Sequence, residues 1–511
     1  MTNRDVEAAI AYHNDTKHSL LSIHSEPHYL DFSNQPLPYK IYTELDPIPL
    51  PREIPPSGVG ALDAVASDGS FEGESVPGLP ILASLLHHAA GITKKRTFPG
   101  GEIHFRAAAC TGALYHVELY LVCGDLPGLE AGVYHFGVHD FSLTRLRSGD
   151  YRANLVQASG GQEAIAQAPS VVVCTSTFWR NSWKYRSRAY RHCFWDNGTI
   201  LANLLAMSAA HRIPTSIVAG FVDSMVSELL DLDTQQEVAL TLVPLGRATD
   251  PTQGEALPTP GLGLETMPLS RTQVDYPAIR QMHQASCLDD PDQARDARNG
   301  PTEAPPPPSP SGREFPLGPP SVLDAADTGL EAVVKRRGSS RQFAREPVTL
   351  KQLSTILTQS TRGVPADFLD PLGTSLCRLY LIVNDVMGLP SGSYFFDREA
   401  GSLEMLEEGD FRNAGGYLGL QQDIPADASV DVFFLTDLDH ALARYGNRGY
   451  RAAQLEAGIV GGKMYLSAYA QRLGASGLTF FDDDVTSFFS PHAEGLAVMF
   501  LVALGVPARR R

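Results

Sequence analysis

Two stretches of this chain match each other at a constant separation of 260 residues. Lys184-Tyr185-x-x-Arg188-x-Tyr190-Arg191 returns as Arg444-Tyr445-x-x-Arg448-x-Tyr450-Arg451. In the same register Tyr120 returns as Tyr380, Gly132 and Tyr134 as Gly392 and Tyr394, and Gly198 as Gly458. A repeat of this length is a whole duplicated domain, not a solenoid unit. Duplication puts two copies of one subunit on a single chain. A site normally shared across a symmetric homodimer can then be built within a monomer, and the two copies are free to diverge.

The 511 residues leave room for two such domains, and 43 % hydrophobic with 19 % charged content suits a globular protein with a sizeable core. A net charge of −17 argues against nucleic acid or an anionic membrane as partner. Six cysteines (110, 123, 174, 193, 287 and 377) lie far apart without paired spacing, and read as reduced thiols. No basic, apolar, small-residue leader opens the sequence and no apolar run reaches ~18 residues, so a cytoplasmic protein is expected.

Four segments are expected. Residues 1–60, with Pro47-Ile48-Pro49-Leu50-Pro51, read as an extended arm over the body. Residues 61–250 form the first domain, with strands at 113–123, 170–175 and 238–245. A helix at 196–211 is capped by Asp196 or Asn197 and carries an apolar stripe of Ile200, Leu201, Leu204, Leu205 and Ala209. Residues 251–321 include Pro305-Pro306-Pro307-Pro308 and read as a semi-rigid or disordered linker. Residues 322–511 form the second domain, with helices at 322–337 and 451–473 and strands at 378–384, 430–436 and 497–504. Mixed strands and long helices in both halves give an α+β or α/β class.

Lys335-Arg336-Arg337-Gly338-Ser339-Ser340-Arg341 stands out in an acidic chain. Guanidinium donors with hydroxyls and turn amides suit a phosphate. A solvated basic helix end would carry the same residues, because cations suit a helix C-terminus. The first domain has no such cluster. No lysine or arginine lies between Arg52 and Lys94, and Asp68-Gly69-Ser70-Phe71-Glu72-Gly73-Glu74 is acidic. If the repeat ever had two phosphate sites, one is gone.

Arg337-Gly338-Ser339-Ser340-Arg341-Gln342-Phe343 resembles the Arg-x-Ser-x-Arg phosphate motif of nitroreductase-fold flavoproteins. The run from Arg106 through Cys110-Thr111-Gly112-Ala113-Leu114 to Glu118-Leu119-Tyr120 resembles a segment of the SagB/ThcOx branch, the azoline-oxidising dehydrogenases. Tyr185-x-x-Arg188-Ala189-Tyr190-Arg191 with Asn203-Leu204, Asn14-Asp15-Thr16-Lys17-His18-Ser19, and Pro27-His28-Tyr29-Leu30-Asp31 resemble further segments of that branch. The resemblance implies two tandem α+β nitroreductase-like domains forming an intramolecular pseudo-dimer with FMN at the interface. In this family one protomer supplies the phosphate motif and the other the loop beside the flavin. Here the second domain keeps Arg337, Ser339 and Arg341, whereas its loop has become Asp370-Pro371-Leu372-Gly373-Thr374-Ser375-Leu376-Cys377. The first domain keeps Cys110, Thr111 and Gly112 and lacks the arginines. One composite FMN site per chain is therefore expected. Cys110-Thr111 replaces the family's Pro-Ser, and His116 replaces a proline. The family's small-residue Gly-Phe-Asp loop is kept as Ala219-Gly220-Phe221-x-Asp223 and altered to Leu478-Thr479-Phe480-Phe481-Asp482, which puts Thr479 at the expected flavin.

The resemblance further implies hydride transfer between a substrate carbon and flavin N5, with Lys184 and Tyr185 handling the proton. Either serves if burial or neighbouring charge brings its pKa toward neutrality, and Arg186 and Arg188 would help Lys184 lose its proton. Repetition of Tyr, Arg, Tyr and Arg in the second domain suits packing and ion pairs instead, and leaves Lys184, replaced by Arg444, as the distinctive residue. His104 and His116 are placed near the flavin, with no metal site expected. Cys110 reads as a small residue beside the cofactor, with redox activity as the alternative. Arg509-Arg510-Arg511 could reach the phosphate or simply fray. Three functions are open: an FMN-dependent dehydrogenase acting on an azoline or related heterocycle, small or peptide-borne; an NAD(P)H-dependent nitro- or ene-reductase; and a flavin-poor scaffold. NAD(P)H or O2 is the candidate electron partner, and further oligomerisation is open.

Overall fold

A computed structural model describes residues 2–25, 28–54, 56–99, 101–298, 312–320, 328–369 and 373–508. Pro305–Pro308, Asp370–Leu372 and Arg509–Arg511 lie outside the described residues, and so do the expectations that rest on them.

Among the described residues each half builds one large antiparallel sheet around a common strand order. In the first half the order is Pro47–Pro49, Ser142–Ser148, Gly132–Gly137, Val117–Cys123, Ser170–Thr177 and Glu237–Leu245. In the second half Arg313–Pro316, Ser402–Glu408, Gly392–Asp397, Cys377–Val383, Val430–Thr436 and Ala497–Gly505 follow the same sequence, with Gly474–Leu478 added at the far edge. Strands Ser170–Thr177 and Glu237–Leu245 are buried at every position. They carry runs of Val, Ala and Leu in place of alternation, the pattern of a strand covered on both faces.

What covers the sheets is a pair of long central helices, Ala189–Ala210 and Arg448–Ala470, which pack against each other. The first begins seven residues earlier than expected. Asp196 is not its cap but lies mid-helix, at the loop described below. Burial of nearly all its residues overrides the modest helix propensity of Tyr190-Arg191-His192-Cys193-Phe194-Trp195. The helices cross at the repeated glycines. A Cβ on Gly198 would lie 2.5 Å from the Gly458 carbonyl carbon, and one on Gly458 would lie 2.7 Å from the Trp195 oxygen. Only glycine lets two backbones come this close.

Two reciprocal ion clusters tie the halves together. Arg188 and Arg191 of the first half bind Asp482 of the second, at 3.0 and 2.6 Å. Arg448 and Arg451 of the second half bind Asp223 of the first, at 2.7 and 2.8 Å. All six side chains are buried. Burial pushes the Asp482 carboxyl up, but Arg188 and Arg191 outweigh it and hold the pKa at about 2. The repeated arginines are therefore structural, and the Asp that closes each expected flavin loop is their partner.

The flanking segments are more ordered than expected. The arm contains helices Glu7–Asp15 and Leu20–Ser25, and its Asn3, Ala9 and His18 bond to Tyr445, Asn447 and Asp482 of the second half. The expected linker contains helices Pro277–Ala285 and Pro291–Arg298. Ile279, Met282 and Ala285 are buried, and His283 and Ser286 contact Arg451, so this segment fills the seam between the halves.

Candidate functional site

The loop ahead of strand Val117–Cys123 holds Cys110, Thr111 and Gly112. Its anchor is Asp196, which the central helix presents to it. The Thr111 amide donates to Asp196 Oδ1 at 2.9 Å and its hydroxyl at 2.8 Å, and the Cys110 thiol donates to Oδ2 at 3.1 Å. His116 bridges Asp196 Oδ2 at 2.7 Å and Ser176 Oγ at 2.8 Å. Burial, reinforced by Asp196, pushes the Cys110 thiol well above its ordinary value, so it stays protonated. This favours the packing role over redox activity. Cys110, His116 and Asp196 bring ligand-type atoms together, as do Asp223, His283 and Cys287. In the first group the atoms bond to one another or to Thr111; in the second Asp223 is held by two guanidiniums.

Gly112 has φ +63°, and a Cβ there would lie 2.8 Å from the Tyr185 hydroxyl oxygen. The phenol thus rests on the loop, its ring edge-on to His192 at 4.6 Å. Lys184 lies beside it, with Nζ 5.2 Å from the Tyr185 ring centre. Burial and then the charge of Arg341 lower the Lys184 pKa. The expected contribution of Arg186 and Arg188 is replaced by that of Arg341, from the other half of the molecule; Arg188 turns away to Asp482. Burial, Asp196 and Cys110 raise the Tyr185 pKa, with Arg341 opposing. The pair therefore splits: the lysine moves toward base character and the phenol toward that of a fixed hydrogen-bond donor.

The second half brings its basic motif to the same place. Arg337 is buried and spends two donors on the first half, Nε to the Ala107 carbonyl at 2.7 Å and Nη2 to the Arg106 carbonyl at 2.9 Å. It staples the start of the Cys110 loop to the second domain. Ser339 Oγ lies 3.1 Å from the Tyr465 hydroxyl. Arg341 is exposed and has no hydrogen bond or ion pair among the described residues. The Ser340 and Thr479 hydroxyls are buried and unpartnered. They flank strand Gly474–Leu478, where a Cβ on Gly474 would lie 2.2 Å from Ser340 Oγ. Arg341, an unpaired cation next in the chain to the orphan Ser340 hydroxyl, is a donor that fits the phosphate of FMN, while Thr479 lies at the other end of the strand.

The remaining expectations divide. Arg337, Ser339, Arg341, Cys110, Thr111, Gly112, Lys184 and Tyr185 converge at one seam. His104 lies apart, bonded to Tyr39 and Glu102. At the pseudo-symmetric seam Asp68 caps Ser70, Arg362 helps to lower its pKa, and Arg212 lies over the Phe71 ring. Asp196, which with Asn197 has the residue type of a helix cap, is instead the loop's anchor. The repeat carried the signal, since Asp196 pairs with Glu456, and Glu456 likewise holds the Ser375 hydroxyl and the Leu376 and Cys377 amides.

The two sheets, the crossed helices and the site at their seam define a nitroreductase-fold protein. Residues 334–505 match the model of the Nitroreductase family. The chain is 28 % identical over 166 residues to a Methanocaldococcus jannaschii protein named as a nitroreductase, an alignment covering 32 % of this chain and 79 % of that one. It is 30 % identical over 178 residues to the trifolitoxin-processing protein of Rhizobium leguminosarum bv. trifolii, covering 32 % of this chain and 45 % of that protein. The crystal structure of a protein from Anabaena variabilis, also named as a nitroreductase, superposes with a TM-score of 0.77 at 25 % identity, covering 98 % of this chain and 99 % of that one. The tandem arrangement is thus matched over its whole length.

Proposed function

We propose that the chain is an FMN-dependent oxidoreductase with one composite site, moving a hydride between a substrate carbon and flavin N5. Bound FMN would supply the hydride chemistry. Arg341 would bind the phosphate, with Ser339 completing the donors, Thr479 at the flavin and Arg337 fixing the seam. Cys110, Thr111 and Gly112 would line the opposite side, held flat by Asp196. Lys184 would exchange the proton that accompanies hydride transfer, with Tyr185 fixing the substrate's orientation. The observation that carries this reading is that Arg337, in the basic motif of one half, bonds the Arg106 and Ala107 carbonyls leading into the Cys110 loop of the other.

The likeness to a toxin-processing protein supports a peptide-borne heterocycle such as an azoline as substrate, with O2 as electron acceptor. The likeness to nitroreductase-named proteins supports the second reading, reduction of a nitro or ene group with NAD(P)H. Rapid bleaching of the bound flavin by NAD(P)H distinguishes the second from the first.

The test is flavin released by heat and quantified against protein. We expect about one FMN per chain, and none in Arg341→Ala. Two per chain would mean that the acidic seam also works. No flavin after soaking with FMN would overturn the assignment and leave a scaffold.

A further inference from the structure

The strongest feature outside the composite site is a cavity of about 400 Å³ within the second half. Its walls include Cys377, Glu456 and Val460, and the residues 260 positions earlier, Val117, Asp196 and Ile200, line the equivalent place in the first half. There only about 10 Å³ remains. The first half fills its space with Arg106 and Tyr115. The Arg106 guanidinium lies 5.0 Å from the Tyr115 ring centre and donates to the Val117 and Pro38 carbonyls. In the second half Ser375 stands at the Tyr115 position, 260 residues on, with its hydroxyl held by Glu456. The divergence of the repeat has emptied one of two equivalent sites.

The cavity is of small-ligand size. Phe396 and Phe434, both opposite Leu379 in the sheet, form an apolar wall. Arg398 is half-buried in it and makes no hydrogen bond or ion pair among the described residues. The Thr374 hydroxyl, also in the lining, is buried without a partner. Asp397 and Glu399 flank Arg398 in the chain and line the same opening. A simple anion would meet their repulsion, and a simple cation that of Arg398 and Arg378. A ligand carrying both charges meets neither.

We propose that this cavity binds a free aromatic α-amino acid. Its carboxylate pairs with Arg398, where a guanidinium offers two parallel donors. Its ammonium faces Asp397, and its ring packs on Phe396 and Phe434. The Thr374 hydroxyl gains the partner that it lacks. This site is separate from the composite seam and does not depend on the flavin assignment.

The test is calorimetric titration of the full chain, as purified, with L-phenylalanine, 3-phenylpropionate and phenethylamine. L-Phenylalanine is expected to bind, and the two probes that each lack one charge to bind at least tenfold more weakly. Arg398→Gln is expected to weaken L-phenylalanine at least tenfold without changing flavin content, and Phe396→Ala to weaken it while the chain still unfolds cooperatively. Absence of binding by L-phenylalanine, equal binding of phenethylamine, or unaltered binding in a folded Arg398→Gln would each overturn the proposal.

Discussion

Lys184 and Tyr185 are neighbours whose pKa values move in opposite directions, down for the amine and up for the phenol. The sequence offered them as an undivided pair. The division comes from burial, which disfavours the charged form of each group; Arg341, 156 positions from Tyr185 and so invisible to local reading, adds to the fall of the amine and opposes the rise of the phenol. Lys184→Arg keeps the charge and removes the base, since a guanidinium does not deprotonate at neutral pH. We expect kcat to fall about 10²–10⁴-fold with flavin content unchanged. The wild-type rate should rise with pH through a midpoint below the ordinary lysine range, and the variant should lose that limb. Full kcat in Lys184→Arg would remove Lys184 from the chemistry. Lys463 is a second displaced amine. Burial, then Arg398, lowers its pKa to about 7, and it donates to the Gly363 carbonyl at 2.8 Å. Between its folded value of about 7 and the ordinary 10.5, the unfolded chain binds the additional proton, so this group makes stability rise with pH. The slope approaches about 1.4 kcal/mol per pH unit. The stability difference between wild type and Lys463→Met, followed by urea unfolding, should move in favour of wild type as pH rises from 7 to 10. A difference constant with pH would show that the amine titrates normally.

At the scale of elements, the two arginine pairs and their aspartates hold the central helices against the opposite loops. Each is a buried carboxylate with two guanidiniums, so removing the anion leaves two buried cations uncompensated. Asp482→Asn and Asp223→Asn should each cost about 3–5 kcal/mol, with similar falls in Tm because the clusters are reciprocal. A loss below about 1 kcal/mol, the range of exposed pairs, would mean that water reaches the cluster. Element positions were readable from hydrophobic runs: strands 430–436 and 497–504 correspond to Val430–Thr436 and Ala497–Gly505. Helix starts were less readable. Asp196 looks like a cap because acids commonly cap helices, and nothing local says that its partner is a loop 85 residues earlier. Helices Pro277–Ala285 and Pro291–Arg298 were hidden by proline and charge, and their order comes from the seam that they fill.

At the scale of the whole molecule, the duplication was legible because the 260-residue spacing holds from the Tyr120/Tyr380 pair to the Gly198/Gly458 pair. The pairing of unequal halves followed from where the cations were missing. What sequence could not supply was volume: the roughly 400 Å³ cavity has Ser375 in its lining where the first half has Tyr115. Because both sides of the composite seam belong to one chain, flavin retention should not depend on protein concentration. Dilution from micromolar to nanomolar chain, followed by flavin fluorescence, should leave the bound fraction governed by free FMN alone. Loss that tracks chain concentration would mean that a second copy completes the site.

The glycine crossing of the central helices sets how that seam can work. With backbone lying on backbone at Gly198 and Gly458, the pair resembles a hinge pin with no bushing. Nothing between the helices can be compressed, and drawing them apart would strip both of their contacts at once. The gap between the halves is thus a fixed width, and the segments along it are mortared in with it: the N-terminal arm bonds Asp482 through the His18 amide, and His283 and Ser286 bond Arg451.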